Sequence, residues 1–151
     1  MNKSYLFLLT FLLCSCSSEA VVIKVYDGDS ITLSHQNNQH KVRLRGIDAP
    51  ELKQTYGQKS KELLKSKILN KKVQFKVFNK DRYNREIAEI WLEGQNIGFF
   101  MVENGAAWQY TQYSTDKRLS DVQSKAKKNR IGLWQNKNPV PPWEWRKNDK
   151  N

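Results

Sequence analysis

A chain of 151 residues has room for one domain of ordinary size with a peptide or tail at either end, but not for two separate cores. Its 26 Lys and Arg outweigh 15 Asp and Glu, a formal charge of +11 that favours a polyanionic partner, although dispersed lysines also make an ordinary solvated surface. Both cysteines, Cys14 and Cys16, lie in the apolar N-terminal segment, which excludes disulfides and thiolate metal sites from the folded domain.

The first residues read as targeting rather than fold. Lys3 supplies a positive start, and the apolar run Tyr5 to Leu13 is too short to span a bilayer. Ser15 puts a small side chain just before Cys16, a pattern that resembles a bacterial lipoprotein lipobox with Cys16 as the acylated residue. Bulky Leu12 and Leu13 make Cys14 the poorer acceptor. Residues 1–15 are thus expected to be a signal peptide and 16–19 a short linker, with the chain exported and held at a membrane through its lipid. A plain secretory signal is the alternative.

From Ala20 the chain changes to short β-rich runs. Val21 to Tyr26 is β-branched, Ser30 to Leu33 resumes after Asp27-Gly28-Asp29, and Lys41 to Ile47 alternates polar with apolar residues. A three-strand meander is predicted, with Asp-Gly as the first turn and His35 to His40 as the second. Thr55 offers an N-cap with Gln58 at the capping-box position, and Tyr56, Ser60, Leu63, Leu64 and Ile68 recur at helical spacing, so a helix is predicted over about 56–69. Val73 to Phe78 and Ile87 to Leu92 make two further strands around Asp81 to Arg85 (DRYNR).

Two more amphipathic helices follow. Ile97, Phe100, Met101 and Asn104 share a face that Gly105 terminates, and Leu119, Val122 and Ala126 share another in a lysine-rich segment ending near Asn129. The domain is expected over 20–135. Residues 136–151, rich in proline, are expected to be an extended tail tucked by Trp143 and Trp145.

The order of DGD (27–29), RLRGIDAPE (43–51), a helix, DRYNR (81–85), NGAAW (104–108) and a basic helix ending in Gly132-Leu133-Trp134 is similar to the staphylococcal-nuclease-like (thermonuclease) family, over roughly Ala20 to Trp134. The resemblance implies an α+β fold, a five-stranded OB-type barrel with three helices. It also implies a calcium-dependent nuclease that acts on DNA and RNA, cleaving the P–O5′ bond to leave 3′-phosphates.

Carried over residue by residue, the resemblance makes Asp29 and Asp48 the calcium-binding carboxylates, joined by the backbone carbonyl of Ala49, an oxygen set that suits a hard cation. Turn chemistry alone would also account for Asp27-Gly28-Asp29. Glu51 matches the catalytic glutamate, which either deprotonates or positions the attacking water. Arg43 and Arg85 match the two essential arginines, whose paired donors meet the charge that accumulates on non-bridging phosphate oxygens. Arg45 is given no catalytic role.

Tyr83 and Tyr113 match aromatic positions that contact the nucleotide, and aromatic faces stack on any base, which suits single strands. Asn84 stands where relatives often have glycine, and Asn tolerates the left-handed backbone. Lys80 and Lys117 read either as electrostatic guides or as solubilising charges. His35 and His40 fall in a predicted loop, and their spacing supports no zinc site. The expected partners are DNA and RNA, with the protein a monomer. A non-catalytic OB-type module that only binds oligonucleotides is the second reading, set against the retention of all five side chains that catalysis needs.

Overall fold

The computed structural model describes residues 18–148. The proposed signal segment and lipidated Cys16 lie outside the described residues.

Five strands carry the architecture: β1 (Ser18–Val25), β2 (Ser30–His35), β3 (Asn38–Leu44), β5 (Lys72–Lys80) and β6 (Glu86–Leu92). They hydrogen-bond in the order β3-β2-β1-β5-β6, and a parallel pairing of β3 with β6 closes the sheet on itself. The result is the closed OB-type barrel, with the α+β class that the resemblance implied. Short pairs β4 (Ile47–Asp48), β7 (Gln95–Asn96) and β8 (Trp108–Gln109) decorate it.

Alternation explains the barrel. Val22, Leu33, Val42, Leu44, Ala88 and Ile90 point inward and are fully or almost fully buried, while strand neighbours such as Val21, Ile23, Lys41, Arg43 and Glu89 lie on the more exposed face. Register breaks between Val22 and Lys24 and between Val77 and Asn79 bend β1 and β5, the curvature that a five-stranded closure requires.

Among the described residues, four helices rather than three pack on this frame: α1 (Gly57–Ile68), α2 (Ile97–Glu103), α3 (Lys117–Lys128) and α4 (Pro142–Asn148). Leu64, Ile68, Ile97, Met101, Val102 and Leu119 extend the core outward from the barrel. A second cluster of Trp108, Ala126, Leu133 and Trp134 forms beside it, built on α3 and the 3-10 turn Gly132–Gln135.

Four local expectations change. The first strand begins at Ser18, because Ser18 and Glu19 pair with Phe75 and Gln74 of β5 despite their polarity. The second meander turn shrinks to Gln36 and Asn37, both with positive φ, and β2 and β3 pair right up to it. The Thr55 capping box does not form. Instead Tyr56, at φ 73°, precedes α1, and successive bonds from Gln54 N to Glu51 O (2.8 Å) and Gly57 N to Gln54 O (2.9 Å) wind the chain into the helix.

The fourth change matters for function. The proline-rich tail is not extended throughout, since Pro142 occupies the first turn of α4, where a missing N–H costs nothing. Pro141 O accepts from Glu144 N and Trp145 N at 3.0 Å each. Trp143 then lies edge-on to Trp108 (5.8 Å) and stacks on Tyr110 (5.4 Å, 8° between rings), fastening α4 to the second cluster.

Candidate active site

The β1–β2 turn sets Asp29. Asp27 Oδ1 accepts the backbone amides of Asp29 (2.9 Å) and Ser30 (2.7 Å), so this side chain shapes the turn. Gly28 leaves no room for a side chain, because a Cβ there would run into Ser60 Oγ and the Ala49 methyl. That close approach brings the turn against the segment carrying Asp48 and Ala49.

Ser30 pairs with Arg43 across β2 and β3, which places the guanidinium beside Asp29. Arg43 Nη1 donates to Asp29 Oδ1 at 2.7 Å and Nη2 to Asp48 Oδ1 at 2.5 Å, one planar fork bridging two carboxylates. Both acids are buried, at 2% and 0% exposure. Asp29 Oδ1 also accepts from Ser30 Oγ (2.9 Å), and Oδ2 accepts the Ala49 amide (2.8 Å), tying the Ala49 peptide to the site.

Negative charge is concentrated here. Burial, helped by the charge of Asp29, pushes the Asp27 carboxyl up to about 7. Burial also pushes Asp48 up, against the opposing hydrogen bond from Arg146. Burial alone would lower the Arg43 guanidinium, but Asp29 and Asp48 hold it above its ordinary value. This all-oxygen surplus fits a hard cation. Among the described residues no three His, Cys, Asp or Glu side chains form a ready cage, so the protein donors would be Asp29, Asp48 and the Ala49 carbonyl, completed by water.

Glu51 follows Pro50 and stands at the rim, its backbone fixed by Gln54, whose Oε1 accepts Glu51 N at 3.2 Å. Its side chain does not stand alone. Arg146, on α4, donates through Nη1 to Glu51 Oε1 (2.7 Å) and Asp48 Oδ1 (3.2 Å), and through Nη2 to Asp48 Oδ2 (2.7 Å). Burial acts to lower its guanidinium, while the bonds to Asp48 and Glu51 raise it.

Arg85 enters from the β5–β6 turn. Asn84 takes the left-handed backbone at φ 60°, as expected, and Asp81 Oδ1 accepts the Tyr83 and Arg85 amides at 2.9 Å each. Arg85 Nη1 reaches Ser30 Oγ at 3.2 Å, one residue from Asp29.

Tyr83 is 66% exposed, with the Arg85 guanidinium 5.6 Å from its ring centre. Tyr113, 74% exposed, lies edge-on to Tyr110 at 4.8 Å and lines a cavity with Arg45 and Glu89, so the structure does not bring it to Asp29 and Asp48. Arg45 pairs with Glu89 at 2.8 Å on the outer face and rests over the Phe78 ring, away from the carboxylates.

The structure therefore brings Asp29, Arg43, Asp48, Ala49 and Glu51 into one connected group, with Arg85 and Tyr83 beside it. A family profile described as staphylococcal nuclease homologue matches residues 41–136, which carry most of that group. The chain belongs to the staphylococcal nuclease homologue family. An Escherichia coli O157:H7 protein called an uncharacterized endonuclease is 43% identical over 126 residues, covering 83% of this chain and 82% of the relative. A Haemophilus influenzae protein of the same description is 42% identical over 149 residues, 96% of this chain and 84% of the relative. A Shigella flexneri micrococcal nuclease is 33% identical over 141 residues, 86% of this chain and 81% of the relative.

In this staphylococcal nuclease homologue the residue that sequence reasoning missed is Arg146. The available signal was Pro142-Trp143-Glu144-Trp145-Arg146, a helix-compatible run in which Trp143 and Arg146 fall one turn apart on the same face. The proline content pointed the other way.

Proposed function

We propose that the protein is a calcium-dependent nuclease that hydrolyses phosphodiester bonds in DNA and RNA, preferring single strands and cleaving the P–O5′ bond to leave 3′-phosphates. The observation that carries this reading is the Arg43 fork across two buried aspartates, with Glu51 at the same rim. A surface arginine needs only one carboxylate partner. A guanidinium set among more negative charge than it neutralises, at the end of β3, is arranged for a site that handles a cation and a phosphate together.

Bound by Asp29, Asp48 and the Ala49 carbonyl, calcium would supply positive charge against the scissile phosphate. Glu51 orients the attacking water or takes its proton, being the acid of the group with a partly exposed carboxylate, 36% accessible at its side chain. Arg43 from β3 and Arg85 from the turn donate to the non-bridging oxygens as charge grows there. Tyr83 and Tyr113 offer their exposed rings to flanking bases. The lipid anchor at Cys16, export and the monomeric state belong to the same reading, supported by the sequence features already given.

The test uses protein beginning at Ser18 or earlier, incubated with single-stranded DNA and with RNA, with added calcium and with excess chelator. Cleavage that calcium starts and chelator stops is the expected result. Salt-sensitive binding without cleavage under any metal would favour the binding-module reading.

A further inference from the structure

We infer that Arg146 is a residue of the active centre, serving as the resident cation of Asp48 and Glu51 that a divalent metal displaces on binding. The inference rests on the proposed calcium reading of Asp29 and Asp48. It begins from how the carboxylate oxygens are used. Asp48 Oδ1 accepts from Arg43 Nη2 and Arg146 Nη1, and Asp48 Oδ2 accepts from Arg146 Nη2. Glu51 Oε1 accepts from Arg146 Nη1 as well. One guanidinium thus joins the aspartate of the proposed metal pair to the proposed water-handling glutamate, across 98 residues of chain for the first and 95 for the second.

A hard cation on Asp48 would sit at about 2.3–2.6 Å from a carboxylate oxygen. Arg146 Nη2 already lies 2.7 Å from Asp48 Oδ2, so both positive groups would crowd one oxygen in a poorly screened setting. One must leave. Arg43 is the poorer candidate, because its side chain is 15% exposed and a second aspartate, Asp29, grips it. Arg146 is 34% exposed and reaches the site from a short helix near the chain's end.

Charge gives the same answer. Asp29, Asp48 and Glu51 face two guanidiniums, Arg43 and Arg146, and exchanging the monovalent Arg146 for a divalent ion neutralises the group in full. The helix need not undock for this. Trp143 stacked on Tyr110, and Gln54 Nε2 donating to Val140 O at 2.6 Å, hold the segment while the Arg146 side chain swings toward solvent. Because the competitor is tethered, it acts at high effective concentration and lowers the apparent metal affinity by the fraction of time it holds the carboxylates. Glu51 is released in the same event, so metal arrival and freeing of the water-handling acid become one step.

The test is calcium titration by calorimetry on the full chain, for wild type, Arg146→Gln and Arg146→Lys, each checked for fold by circular dichroism. Arg146→Gln should bind calcium about 10-fold more tightly, and Arg146→Lys should fall between, since an ammonium cannot span Asp48 and Glu51 as a fork does. Equal or weaker binding in Arg146→Gln, with calcium still bound, would overturn the exchange and make Arg146 a support for its two acids. Absence of calcium binding in all three proteins would overturn the metal reading itself and this inference with it.

Discussion

Asp81 holds Arg85 at both ends of the residue: Oδ1 accepts the Arg85 backbone amide at 2.9 Å, and Oδ2 accepts Nε at 2.8 Å. A turn that grips both the amide and the guanidinium stem fixes where the remaining nitrogens point. That is how an arginine in an otherwise exposed loop comes to face Ser30.

Asp81→Ala should therefore lower kcat/KM by about 10-fold, through loss of Arg85 aim, while leaving the barrel folded. The same pair has a pH signature. Burial tends to raise the Asp81 carboxyl, but hydrogen bonds from the Arg85 and Tyr83 amides and the Arg85 side chain hold it below its ordinary value. Its contribution to stability is then present above the unfolded pKa and is lost as pH falls through the lower folded pKa. Thermal melts of wild type and Asp81→Ala should converge in acid and separate above about pH 4, the ordinary carboxylate range. Parallel curves would contradict the assignment.

Arg43 has a structural duty beside its proposed chemical one. Arg43→Met leaves Asp29 and Asp48 buried with their shared cation gone, and breaking a buried pair from one side costs on the order of 3–5 kcal/mol. Arg43→Lys should lose less stability but still fall about 100-fold in turnover, since a point charge cannot present the paired donors. Urea unfolding and steady-state rates measured on the same preparations separate the two effects.

Gly28 is a steric requirement. In Gly28→Ala the new methyl meets the Ala49 methyl and Ser60 Oγ, which is committed to Ala106 O at 2.6 Å. Destabilisation of about 1–3 kcal/mol is expected. Ser60→Gly in the Gly28→Ala background removes the obstructing hydroxymethyl and should recover part of the loss, an interaction that a double-mutant cycle reads directly.

Tyr83 and Tyr113 are exposed rings with little to contribute to the fold. Replacing either by Ala should leave the melting temperature within about 2 °C of wild type while weakening binding of single-stranded oligonucleotides by about 1–3 kcal/mol, the value of one base stacked on an aromatic face. Titration of a fluorescent oligonucleotide under chelator, where no turnover intervenes, provides the measurement.

The barrel was legible in the sequence because its strands announce themselves locally. Val21, Val22 and Ile23 are β-branched, Leu33, Val42 and Leu44 alternate with polar residues, and Asp27-Gly28-Asp29 and Asp81 to Arg85 punctuate the strands with turn chemistry. What had to come from the structure is set by distant partners. Ser18 and Glu19 carry no strand signal of their own and are recruited by the edge of β5. Parallel closure of β3 on β6 joins Val42 to Glu86 and leaves no mark in either segment.

The site shows the same division. Asp29, Arg43, Asp48 and Glu51 lie close together in sequence and could be assembled by matching motifs. Arg146 lies far along the chain, behind three prolines whose usual meaning is an extended tail. Here Pro142 starts a helix that Trp143 seats, and that docking turns Arg146 toward Asp48.

The most direct test of the account is the turnover rate of Glu51→Gln on single-stranded DNA under saturating calcium, with folding confirmed by circular dichroism. A fall of at least about 100-fold is predicted, the lower end of what a positioned acid or base contributes. A folded Glu51→Gln protein that cleaves at the wild-type rate would contradict the placement of the chemistry at this site.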